Sequence, residues 1–191
     1  PGVDVRMAWL EACRHDFAEA ERLMRRQLEV FGAADAVARD VVILRVLQLD
    51  EAGAEAFGRT WVAEHPESTM TATQLFRLLE SQGRSAEMVP FLEGVIADLG
   101  PEAEDDRGRA EARLGLLRVQ SLALVAAGDL ERGIAVIERT LELDDSSWGG
   151  WLELARARAR AGRPGVVEAA ERAWALRPSP DVALAVADAL E

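Results

Sequence analysis

The chain has 191 residues, 49% of them apolar, and a formal net charge of −12, which bounds it to one compact domain or one repeat array and excludes intrinsic disorder. Its average field repels nucleic acid and anionic membrane, and no run reaches the roughly 18 consecutive apolar residues that a membrane span needs. All 22 basic residues are arginine, and lysine, asparagine and tyrosine are missing. With abundant alanine and glycine, this bias points to a GC-rich bacterial genome; the compartment stays undetermined, with the bacterial cytoplasm slightly favoured over the periplasm. The start lacks methionine and the end falls inside a helical pattern, so the sequence reads as a piece of a longer protein. A single cysteine, Cys13, excludes an internal disulfide and is expected to be a small buried residue.

Turn signals recur along the chain at a spacing of 34 residues: RHD at 14–16, QLD at 48–50, QGR at 82–84 and, after 11 extra residues, AGD at 127–129 and AGR at 161–163. Each divides two stretches of helical periodicity. The period sets units at 1–34, 35–68 and 69–102, a charged insertion or helix extension at 103–113, units at 114–147 and 148–180, and a capping or truncated helix at 181–191.

The second helix of each unit carries apolar or small residues at every fourth position, hence on one face. In order these are Ala20, Met24 and Leu28; Ala54, Gly58 and Val62; Met88, Leu92 and Ile96; Gly133, Ile137 and Leu141; Val166, Ala170 and Trp174. Breakers close the units at Gly32, Pro66, Gly100, Asp145 and Pro178.

Asp16 with Glu19 predicts a capping box, and Ser179 with Pro180 a capped helix start. Pro90, five residues after the candidate cap Ser85, predicts a late start or a kink. Ala110 to Val125 reads as one helix, with a joint around Gly100, Pro101 and Gly108. At the end, Val182, Leu184 and Val186 are expected to lie uncovered and to fray.

A 34-residue helix-turn-helix unit with a small residue early in its second helix and a proline at its end resembles the tetratricopeptide repeat. The fifth unit matches best, with Trp151, Leu154, Ala155, Gly162, Ala173 and Pro178 at the family's positions. The first matches at Ala8 and Ala20, and the second at Ala54 and Pro66. Two features depart: the family's tyrosine is missing, and Gln120 and Ser121 stand where leucine and glycine are usual.

The resemblance implies an all-α, right-handed superhelical solenoid of about five repeats plus a C-terminal helix. It also implies a concave groove, lined by the first helix of each unit, that holds a peptide or a partner's helix. The chain then reads as a non-catalytic protein-interaction module or scaffold within a larger bacterial protein. A structural spacer, a self-associating segment forming a homodimer, and an accessory domain beside a catalytic one are the alternatives. In this frame Trp151 belongs to the packing layer and Trp148 opens its helix, rather than the two forming an aromatic ligand box.

No residue set assembles an active site. Cys13, His15 and His65 fall short of a zinc set. Gly149 and Gly150 lack the lysine and serine or third glycine of a phosphate loop. The 34 carboxylates are too many for any pair to stand out. No enzyme activity, metal or cofactor is expected.

By the family's spacing, the inward face comprises Arg6, Trp9, Arg39, Asp40, Ile43, Leu47, Arg77, Glu80, Arg118, Leu122, Leu152, Glu153, Arg156 and Arg160. Six arginines against three acids make it +3 in a chain of −12. This predicts an acidic partner segment with apolar anchors, gripped by guanidinium forks while Trp9, Ile43 and Leu122 take side chains. Asp35, Glu80 and Glu153 lie one turn from Arg39, Arg77 and Arg156 and offer them local partners. Arg118 and Arg160 have no acid at such a spacing.

Overall fold

The computed structural model describes residues 3–32, 34–100 and 107–190. Among them are eleven helices and no strand: α1 (Val3–Cys13), α2 (Phe17–Phe31), α3 (Asp35–Leu47), α4 (Glu51–Glu64), α5 (Thr69–Ser81), α6 (Ser85–Asp98), α7 (Arg107–Ala126), α8 (Leu130–Leu143), α9 (Trp148–Arg160), α10 (Val166–Leu176) and α11 (Pro180–Leu190). None is long and apolar enough to cross a membrane.

The turns explain why the chain reverses where it does. Gly83, Gly128 and Gly162 have φ of 71°, 87° and 63°, and His15 and Leu49, at the equivalent places in RHD and QLD, have φ of 64° and 61°. Every turn signal thus centres on one left-handed residue, which costs a side-chain-bearing residue about 1–2 kcal/mol and glycine almost nothing. Leu49 is 88% exposed, so its side chain gives little packing in return. Leu49→Gly is expected to stabilise the protein by about 0.5–1 kcal/mol, the gain being reduced by glycine's greater freedom when unfolded. A urea midpoint that stays put or falls would contradict this.

Helix starts are capped by short polar side chains: Asp16 accepts from the Glu19 amide at 3.1 Å, Asp50 from Gly53 at 3.0 Å and Ser147 from Gly150 at 3.2 Å. The capping box at Asp16 is only half made. Glu19 turns its carboxylate to Arg22, and the Asp16 amide donates to the Glu11 carbonyl instead. Ser179 accepts from the Val182 amide at 3.4 Å and α11 begins at Pro180. Pro90 does not delay α6, which starts at Ser85 and runs through the proline; the Ala86 carbonyl one turn back merely loses its amide donor. Gly108 lies inside α7 rather than flanking it, and residues 101–106 of the expected joint and insertion lie outside the described residues.

The chain divides into two compact units, Pro1–Gly83 with Val95–Arg113, and Arg84–Gly94 with Leu114–Glu191. In the first, α1 packs on α2, α2 on α3, and α3 on both α4 and α5. Its core holds Ala8, Ala20, Met24, Val37, Val41 and Leu44. Glu21 ties α2 to α3 by accepting from Arg45 at 2.8 Å. Burial alone would raise its pKa, but the bonds from Arg45 and Arg25 outweigh burial and hold it below the ordinary value.

In the second unit α9 packs on α8, α10 and α11 around Ile137, Leu141, Leu154, Ala155 and Ala170. Here α11 docks back with Val182 buried and Val186 half-buried, which corrects the expectation that both lie uncovered; of the three, only Leu184 is exposed. Two further corrections concern burial. Cys13, last residue of α1, is exposed because Ala8 and Ala12 occupy that helix's core face. Trp174 is 43% exposed because Ala169, Ala170 and Ala173 form the buried face of α10.

Candidate functional site

Two of the predicted inward residues of the first unit, Trp9 and Arg39, meet at a third, the Asp40 carboxylate. Asp40, on α3 and only 7% exposed, accepts from the Trp9 indole Nε1 of α1 at 3.1 Å and from Arg39 Nε and a terminal nitrogen at 3.0 and 2.6 Å. The Trp9 ring packs against the core of that unit. Asp35, the expected partner of Arg39, is used elsewhere. It caps α5, accepting from the amides of Met70 and Thr71 at 2.8 and 2.9 Å and from the Thr71 hydroxyl at 2.6 Å. Ile43 is half-buried, while Arg6, Leu47, Arg77 and Glu80 are exposed.

In the second unit the predicted residues converge on an open cleft of about 330 Å³. Arg118, Ser121 and Leu122 of α7 form one wall; Trp148, Gly149, Leu152, Glu153 and Arg156 of α9 form the other; Ile137 and Thr140 of α8 lie between. The two helices supply these residues at intervals of three or four, which sets them on a single face of each.

The guanidinium groups around the cleft are mostly tethered. Arg156 bonds Glu153 at 2.9 Å, and Arg118 reaches the Asp144 carboxylate in the turn before α9. The Ser146 hydroxyl first, then Arg118, hold the Asp144 carboxyl below the usual carboxylate range. Arg160 has no acidic partner among the described residues. Arg158 points away from this face, to Glu138 at 2.8 Å and the Gly165 carbonyl at 3.0 Å.

Trp151 packs on the core of the second unit and donates its indole N–H to the Asp145 carbonyl at 2.8 Å. Trp148 does otherwise. It is half-buried, forms part of the cleft wall, and carries the Arg177 guanidinium 4.6 Å from its ring centroid. Sequence reasoning assigns it only the opening of a helix. The available signal is Gly149 after it, where a Cβ would meet nothing within 4 Å beyond its chain neighbours.

No protein-family model and no curated protein matches the sequence. Solved structures do match along almost its full length. TTC0263, a thermophilic TPR protein of Thermus thermophilus, aligns at 17% identity with a TM-score of 0.61, covering 98% of this chain and 97% of that one. The chain has a tetratricopeptide-repeat fold. PilW, a type IV pilus biogenesis factor, shares this repeat fold at 15% identity and a TM-score of 0.63, over 98% of this chain and 84% of that one. YrrB, a TPR protein with an unusual peptide-binding site, does so at 14% identity and a TM-score of 0.55, over 95% and 88%.

Proposed function

We propose that the chain is a non-catalytic protein-interaction module that holds an acidic peptide or helix against the first-helix face of its repeats. The observation that carries this reading is the cleft between α7 and α9. Five residues nominated by spacing, Arg118, Leu122, Leu152, Glu153 and Arg156, meet there on one apolar-floored surface with guanidinium groups at its edge. Such a surface suits recognition of a carboxylate-bearing segment, since planar guanidinium forks grip carboxylates and the apolar floor supplies contact area. The peptide-binding site of YrrB, on the same fold, supports a peptide as the ligand.

The test uses Arg160→Glu, which reverses a charge without stranding a buried partner, together with Arg118→Ala, which releases Asp144. A partner isolated by crosslinking at the cleft should bind the double variant more weakly by about 1–2 kcal/mol, with a steeper salt dependence in the wild type. Unchanged affinity with unchanged helical content would remove the first-helix face from the binding reaction.

A further inference from the structure

We infer that the cleft beside Trp148 is an anchor site for one bulky apolar side chain of an acidic partner segment, with Trp148 and Gly149 setting what it accepts. The inference rests on the protein-interaction reading above and adds the chemistry of the anchor.

The polar groups in the wall are already engaged. The Ser121 hydroxyl donates to the Arg118 carbonyl and the Thr140 hydroxyl to the Ile137 carbonyl, each at 2.8 Å. The Ser147 hydroxyl accepts from the Gly150 amide, and Arg118 and Arg156 hold Asp144 and Glu153. What remains to meet a ligand is chiefly the half-buried Leu122 and Trp148, with Ile137 and Leu152 buried beneath them. Away from the guanidinium edge a polar anchor would lose its own water against these side chains, whereas an apolar one gains by burial.

The two glycines have separate roles. A Cβ at Gly150 would stand 2.9 Å from Leu141 Cδ2, so that glycine is required by the close packing of α9 on α8. A Cβ at Gly149 would meet nothing within 4 Å, although the residue lies in the cleft wall. Gly149 therefore leaves room in the cleft wall that packing against residues other than its chain neighbours does not use. Arg177, seated on the ring, is a positioning residue that braces the indole.

The charges select the flanks. Arg118 and Arg156 in the wall hold Asp144 and Glu153, and Arg177 lies over the Trp148 ring, so three guanidinium groups stand there against two carboxylates in a chain of −12. Acidic residues on either side of the anchor are therefore favoured, and the rest of the protein surface repels them.

The probes are short capped peptides in which glutamates flank one central glycine, leucine or phenylalanine. The protein carries 5-fluorotryptophan at its five tryptophans, and Trp148→Phe assigns the Trp148 resonance. The leucine and phenylalanine peptides should bind about 10- to 100-fold more tightly than the glycine peptide and should move the Trp148 resonance. Gly149→Leu, which fills the open space, and Trp148→Ala, which removes the wall, should each abolish that preference while the helical circular dichroism stays unchanged. Equal affinity for all three peptides overturns the anchor and leaves the arginine-bearing face standing. Salt-independent binding, or no binding by any peptide, overturns both readings. A Trp148 shift produced by raising the protein concentration alone assigns the cleft to a second copy of the chain and overturns the acidic-segment anchor.

Discussion

Asp40→Ala is expected to cost about 3 kcal/mol of stability, because it removes the acceptor that joins α1 to α3 and leaves its donors behind. The carboxylate is 7% exposed and takes three donors, one from Trp9 and two from Arg39. Once it is gone, the Trp9 N–H stays half-buried without a partner, and the Arg39 guanidinium, 33% exposed, loses its counter-charge. Asp40→Asn retains one acceptor oxygen and should lose roughly half as much. Urea unfolding measures both, and a loss under about 1 kcal/mol for the alanine variant would show that the bonds exchange freely with water. The consequence for function is specific. Trp9 and Arg39, expected from the sequence to meet a partner, are held by Asp40 in the structure, so a ligand reaching them competes with an internal bond.

Local chemistry was legible in the sequence and long-range pairing was not. The five turn signals could be aligned because glycine and short polar residues punctuate helices in fixed ways, and the same alignment puts His15 and Leu49 in the left-handed region. That Arg118 and Leu122 share one face of α7, and Leu152, Glu153 and Arg156 one face of α9, was legible as well, because helical spacing alone determines which residues share a face. Trp174 was misplaced for a geometric reason. The equivalent Val62 and Leu141 are buried, but on α10 Ala169, Ala170 and Ala173 supply the buried face and position 174 lies off it. Cys13 was misplaced by composition, since the tendency of cysteine to be buried says nothing about its place at a helix end. The partners of Asp35 and Arg118 lie 36 and 26 residues away, beyond the reach of any helix-spacing rule. Trp148 shows the limit most clearly: an aromatic at helical spacing fits a core or a surface equally, and only the structure shows it half-buried in the wall of a cleft.

Gly133→Leu is expected to destabilise the second unit by about 3 kcal/mol, near the upper end for overpacking. Gly133 sits one turn into α8, buried against Val125 and Leu124 of α7. A Cβ there would lie 2.7 Å from Val125 Cγ2, 3.4 Å from the Val125 amide nitrogen and 3.5 Å from Leu124 Cβ. Val125 is itself buried and β-branched, so it cannot swing aside, and the backbone atom behind it cannot move without shifting α7. Gly133→Ala sets the same clash against a gain of about 1 kcal/mol in helix propensity and should fall between wild type and the leucine variant. The effect should extend to the cleft. Ile137 and Thr140 follow Gly133 by one and two turns on the same face of α8 and lie between the cleft's two walls. Pushing α8 away from α7 would move them relative to Leu122 and Arg118, so thermal melting and the Trp148 fluorine resonance should change together across the glycine, alanine and leucine series. A leucine variant within about 1 kcal/mol of wild type would mean that α7 and α8 separate at little cost, and that the cleft is not held by this contact.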